Sequence, residues 1–245
     1  MQYDPIKSSL GKVFNASPVL RILFYKMLDL LLLRAWHIKR EIRRIQNFLP
    51  GNAEILDAGS GFGQYSYYLA KKFPNSNLLG VDVKEEQIAD CNIFFGRIGL
   101  SKKVKFIVGD LTKFRAEDKF SLVLSVDVME HILEDTEVFK NFNYSMKKGG
   151  TLLISTPSDH GGSDVHEDED ESFIEEHVRD GYNINDIIAK LKSAGFSEVY
   201  ARYSYGRPGG ISWRLSMKYP IILLNTSKLF YILMPFYYST KIIFY

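Results

Sequence analysis

Three glycines at alternate positions, Gly59, Gly61 and Gly63, stand directly behind the apolar pair Ile55-Leu56 and Asp57. A strand that ends there, turns on glycine and enters a helix near Gln64 gathers backbone amides and a helix N-terminus at its carboxyl end. That is a place to bind something polar. The rest of the chain keeps the same rhythm, with short apolar runs separated by helical stretches: EILDAG and QYSYYLAKKF, NLLGVDV and EEQIADCNIFFGRIG, then VKFIVGDL, FSLVLSVD, TEVFKNFNYSMKK and GTLLISTP. Strands alternating with helices predict a parallel sheet covered on both faces, and the near-continuous apolar runs agree. The length of 245 residues suits one such domain with additions.

The glycine spacing narrows the ligand. A dinucleotide fingerprint reads G-x-G-x-x-G, but here the third glycine comes one residue early and Gln64 takes its place, which disfavours hydride chemistry. The string D-x-G-x-G-x-G over residues 57–63 resembles the first motif of the class I S-adenosylmethionine-dependent methyltransferases. Later stretches resemble that family's further motifs in order: NLLGVDV with Asp82-Val83, VKFIVGDL with Gly109-Asp110-Leu111, FSLVLSVDVMEHI, and GGTLLISTP. The resemblance covers Pro50 to Gly206, and within the family the chain is most similar to the small-molecule group that includes the ubiquinone-biosynthesis O-methyltransferases.

The resemblance implies an α/β fold, a Rossmann-like, doubly wound, mostly parallel seven-stranded sheet whose last strands form an antiparallel hairpin. The final strand is open: either TKIIFY supplies it or the chain lacks it. The cofactor implied is S-adenosyl-L-methionine, with S-adenosyl-L-homocysteine as product. Asp57, Gly59, Ser60, Gly61 and Gly63 are then expected at its amino-acid end and sugar. Asp82 and Val83 are expected at the ribose, where two carboxylate oxygens suit two adjacent hydroxyls. Gly109, Asp110 and Leu111 are expected at the adenine, and Ser125 at the end of the fourth strand.

A sulfonium methyl is already a strong electrophile, so alignment and exclusion of water matter more than dedicated catalytic groups. For an oxygen acceptor a base helps, and the candidates are His131, His160, His166 and His177, with His131 first. If a helix begins at Val128, Asp127, Glu130 and His131 share a face at i, i+3 and i+4. The string D-x-x-E-H is similar to the E-x-x-E-H of quinone O-methyltransferases, where it is associated with a divalent cation, but it also reads as an ordinary polar helix start. No metal is therefore assigned. Residues 158–182 are acid-rich and fall where the family places substrate loops. His177, Arg179 and Tyr182 are expected on the acceptor side, with a salt-bridged connector as the competing use, and Asn183 or Asn185 caps the next helix.

Charge divides the chain. Residues 1–49 carry nine basic and three acidic side chains, residues 201–245 six basic and none acidic, and the middle 16 basic against 26 acidic. The totals of 31 and 29 nearly cancel, and nothing global points to nucleic acid. Segments are expected at 1–49 (a helical cap opened by Ser17-Pro18), 50–206 (the cofactor domain) and 207–245 (a basic, aromatic extension). The first helix offers an apolar face of Leu20, Leu23, Phe24, Met27, Leu28, Leu31 and Leu32, followed by Lys39, Arg40, Arg43 and Arg44. The twelve-residue uncharged run LFYILMPFYYST is short for a membrane span. Peripheral contact with anionic lipid, a hydrophobic lid over a small or lipid-like acceptor, and a homodimer interface all fit these ends. The N-terminus lacks a secretory pattern and Cys91 stands alone, so a cytoplasmic setting is expected. The rival reading is a non-catalytic cofactor-binding module or a membrane-associated scaffold.

Overall fold

Helix α1 (Pro18–Leu31) begins where the proline at its first position leads one to expect, and the Ser17 hydroxyl accepts from the Val19 amide at 3.3 Å. The computed structural model describes residues 17–160, 178–179, 181–215, 219–226, 233 and 237. After a break at Leu32 comes α2 (Leu33–Ile45). Then follow β1 (Glu54–Ala58), α3 (Gln64–Lys72), β2 (Asn77–Asp82), α4 (Glu85–Arg97), β3 (Val104–Val108) and β4 (Phe120–Val126). The order continues with α5 (Asp135–Ser145), β5 (Met146–Ser155), α6 (Ile184–Ser193), α7 (Arg207–Trp213) and α8 (Tyr219–Thr226).

The strands form one parallel sheet in the order β3-β2-β1-β4-β5. The order reverses at β1, flanked by β2 and β4, and a sheet of this kind opens a crevice at the carboxyl ends of the strands on either side of the reversal. Ile55–Ala58 and Phe120–Ser125 are buried, which is why these strands read as unbroken apolar runs. At the β3 edge the Asn92 side chain stands in for a neighbouring strand. Its amide donates to the Phe106 carbonyl at 2.9 Å, and its oxygen accepts from the Phe106 amide at 3.2 Å.

Seven strands were expected, and among the described residues there are five. The stretch 197–206, SEVYARYSYG, takes no regular structure, and Tyr200 is 84% exposed. A strand there needs hydrogen-bond partners beyond the outer edge of β5. The expected source, TKIIFY, lies outside the described residues. A correction concerns α1, where Leu20 and Leu23 of the expected apolar face are exposed and the polar Arg21 is buried.

The chain divides into two compact units, Met1–Leu23 with Arg43–Arg202, and Phe24–Ile42 with Tyr203–Tyr245. The first holds the sheet and the core of Leu56, Val81, Phe120, Val123, Met129 and Phe139. In the second, Ala35 and Ile38 are buried on α2, Lys39 pairs with Asp29, and the His37 and Tyr205 rings lie 5.8 Å apart. Among the described residues no helix is long and apolar enough to cross a membrane.

Candidate active site

Gly59, Gly61 and Gly63 all have positive φ, at 77°, 49° and 81°. At Gly59 there is also no room, because a Cβ would lie 2.1 Å from Cγ2 of Val128 in the turn that follows β4. The glycine thus lets two strand-end turns touch. Most of the loop's amides are taken up by the end of β2. Those of Gly59 and Ser60 donate to the Val81 carbonyl at 2.8 and 3.1 Å, that of Gly63 to the Ser60 carbonyl at 2.9 Å, and that of Gly61 to Asp82 Oδ2 at 2.8 Å.

Asp82 ends β2 with both oxygens held by main chain, since its Oδ1 accepts from the Lys84 amide at 3.0 Å. A carboxylate has about four lone-pair sites, so each oxygen keeps capacity for a ligand hydroxyl while its position is set by the protein. Val83 beside it is 62% exposed and offers apolar surface. At the end of β3 the Gly109 amide donates to the Asp82 carbonyl at 3.0 Å, and a Cβ on Gly109 would meet Val81 Cγ1 at 2.9 Å. Asp110 Oδ1 accepts from the Thr112 hydroxyl at 2.7 Å and amide at 2.9 Å. Those bonds, with nearby Lys113, outweigh burial and hold its carboxyl below the usual carboxylate range. Leu111 turns into the core, and Asn141 donates to the carbonyls of Leu111 and Thr112 at 2.9 and 2.8 Å.

Asp57 is buried, and its Oδ2 accepts from the Ser66 hydroxyl of α3 at 2.5 Å. Burial pushes its carboxyl up to about 6 against the pull of that bond. It ties β1 to α3 beneath the glycine turn. Ser60 and Ser125 are also buried, and neither hydroxyl has a hydrogen-bond partner among the described residues. Buried polar groups are nearly always paired, so such hydroxyls at the carboxyl ends of β1 and β4 point to a missing ligand.

The turn after β4 departs from the sequence reading. Asp127 has φ 53°, with its amide donating to the Ser155 carbonyl at 2.9 Å, and Val128 does not begin an α-helix. Met129–His131 form one 3-10 turn, whose tighter period separates the side chains that an α-helix would align. Glu130 is buried and accepts from the Thr156 hydroxyl at 3.1 Å, while His131 is exposed. The shared face of Asp127, Glu130 and His131 is not formed, and among the described residues no three His, Cys, Asp or Glu side chains are grouped to hold a metal.

Tyr182 was expected on the acceptor side, but it is 3% exposed, and its hydroxyl donates to Asp135 Oδ2 at 2.6 Å. The same oxygen takes Lys190 at 2.8 Å and a close ion pair from Arg179. Burial opposes ionisation of Asp135, yet the bonds from Lys190 and Tyr182 and the Arg179 charge outweigh it and keep the carboxyl below its ordinary value. Burial first, then the Asp135 carboxylate, raise the Tyr182 hydroxyl well above its ordinary value, so it stays a donor. This is the salt-bridged connector. It is fixed to the sheet by the Tyr182 amide, which donates to the Pro157 carbonyl at 3.0 Å, and Asn183 caps α6 by accepting from the Asn185 amide at 2.9 Å. His160 is exposed at the start of this region, while His166 and His177 lie outside the described residues. Sequence reasoning missed Asp135, which reads as an ordinary acid in the first turn of a helix.

Residues 50–198 match a family profile described as a methyltransferase domain. The chain belongs to the class I S-adenosylmethionine-dependent methyltransferases. Phosphoethanolamine N-methyltransferase 1 of Arabidopsis thaliana is 32% identical over 173 residues, 66% of this chain and 32% of that enzyme. Malonyl-[acyl-carrier protein] O-methyltransferase 2 of Ilyobacter polytropus is 31% identical over 102 residues, covering 42% of this chain and 38% of the relative. The matched stretch therefore spans about a third of these curated relatives. Among solved structures, Haemonchus contortus phosphoethanolamine N-methyltransferase 2 in complex with S-adenosyl-L-methionine shares the fold, with a TM-score of 0.62 at 20% identity over 82% of this chain and 48% of that one.

The cofactor of this methyltransferase is S-adenosyl-L-methionine, and the residues present fit it. Asp82 has acceptor capacity for the sugar and Asp110 for an exocyclic amine, while Ser60 and Ser125 bring two buried hydroxyls without a partner among the described residues.

Proposed function

We propose that the domain transfers the methyl group of S-adenosylmethionine to a small polar acceptor, and that the acceptor atom is the nitrogen of a phosphorylated amine. The observation that carries the transfer is the pair of buried hydroxyls without a partner among the described residues, Ser60 and Ser125, at the ends of strands that neighbour those ended by Asp82 and Asp110. The choice of nitrogen rests on the likeness to phosphoethanolamine N-methyltransferases. When bound, the cofactor supplies an electrophilic methyl group on sulfur. Asp82 would then hold its ribose and Asp110 its adenine, and the turn after β4, packed on Gly59 through Val128, would line the acceptor side. His131, exposed on that turn, accepts the proton that the acceptor loses.

Oxygen is the second reading, favoured by the likeness to an O-methyltransferase and by the same exposed His131. A cytoplasmic setting, with peripheral lipid contact through the basic α2, remains part of the proposal. The test is transfer of labelled methyl from the cofactor to phosphoethanolamine, compared with carboxylate and phenol acceptors. Label on the amine is expected. Label only on oxygen acceptors replaces nitrogen with oxygen, and bound cofactor without transfer to any acceptor leaves a binding module.

A further inference from the structure

Arg21 of α1 is 3% exposed although it is a cation on a helix read as apolar. Its Nη2 donates to the Phe62 carbonyl at 2.7 Å and reaches Cys91 Sγ at 3.2 Å. Nη1 donates to the Asp90 carbonyl at 3.3 Å, and the guanidinium lies 4.6 Å from the centre of the Phe94 ring. Burying such a group is costly unless its donors are placed, as they are here. Burial pushes the Cys91 thiol up to about 12 against the pull of Arg21, so the sulfur stays protonated and itself donates to the Gly61 carbonyl at 3.5 Å.

The acceptor that matters is Phe62, which lies between Gly61 and Gly63 in the cofactor turn. The peptide joining Phe62 to Gly63 is held at both ends, its carbonyl by Arg21 and its N–H by the Ser60 carbonyl at 2.9 Å. Gly63, at φ 81° on its far side, leaves that peptide little intrinsic resistance to rotation. If it turns, the Gly61 amide shifts against Asp82, the acid assigned to the ribose. We propose that Arg21 is a positioning residue, one that locks the glycine turn in the shape that receives the cofactor. It lies outside residues 50–198 matched by the methyltransferase profile, so this part of the cofactor site is supplied by α1, ahead of the matched domain.

The inference rests on the cofactor reading, and titration of the full chain with S-adenosylhomocysteine separates the two. Arg21→Met should raise the Kd about tenfold or more, the scale of a lost charge-assisted bond. Arg21→Lys keeps the charge but not the forked donors and should recover part of the affinity. Phe142→Leu, in the core on α5, loosens packing away from Arg21 and the glycine turn, and should lower Tm while leaving Kd within about twofold. A wild-type Kd in Arg21→Met overturns the positioning role, as does a Phe142→Leu Kd as weak as that of Arg21→Met. A wild-type chain that does not bind removes the cofactor reading and this inference together. If Arg21→Met does not fold, Arg21→Lys carries the test: faster amide exchange at Gly61 and Gly63 with weaker binding supports the role, and unchanged exchange with unchanged Kd overturns it.

Discussion

Gly59→Ala puts a methyl group where Val128 already stands. The alanine must hold φ near 77°, a left-handed backbone that costs an L-residue about 1 to 2 kcal/mol. Its Cβ would also lie 2.1 Å from Val128 Cγ2, an overlap whose relief costs about 1 to 3 kcal/mol in a packed site. Together these predict a loss of about 2 to 5 kcal/mol. Val128→Ala removes two methyl groups from a half-buried side chain, at about 1 kcal/mol. In the double variant most of the overlap is removed, because the Val128 atom left nearest the new methyl is Cβ at 3.1 Å, a tight contact that a small shift relieves, and the backbone strain and the lost packing remain. Urea unfolding of the four proteins should therefore give a favourable coupling energy of about 1 to 3 kcal/mol. Additive losses, with coupling near zero, would refute the claim that Gly59 is required by Val128 rather than by its own backbone alone.

Three further outcomes follow from the same geometry. Asp82→Ala should weaken S-adenosylhomocysteine binding by about 1 to 3 kcal/mol, and an unchanged titration would show that this acid does not hold the ligand. Asp135→Asn should cost about 3 kcal/mol at pH 7, because Arg179 and Lys190 lose their shared counter-charge. Since the folded carboxyl sits below its ordinary value, that stabilisation is complete above about pH 4 and fades as pH falls through the folded value, so the urea-midpoint gap between variant and wild type should narrow only in acid. Asp57 works in the opposite sense. Its carboxyl is raised to about 6, so its contribution is complete below about pH 4 and is lost as pH rises through 6, by up to about 3 kcal/mol. Asp57→Asn should be free of that loss, and an identical pH profile in variant and wild type would contradict it.

Taken alone, the sequence determined the strand–turn–helix unit at Gly59–Gly63, the parallel alternation and the acids that end β2 and β3. Each of these depends on residues close together in the chain, where apolar period and turn chemistry act directly. It led elsewhere for Asp127, Glu130 and His131, because a helix and a 3-10 turn draw on the same short string. Its burial and its contact with Thr156, 26 residues away, show Glu130 turned inward. Tyr182 and Arg179 looked like acceptor-side groups until the fold brought Asp135 to them from 47 and 44 residues away. Arg21 fitted no pattern at all, being one cation on an apolar helix whose partner Phe62 lies 41 residues on. Local periodicity reports which face of an element is apolar, while the partner of a buried polar group depends on how the elements pack, and that information resides in the tertiary structure.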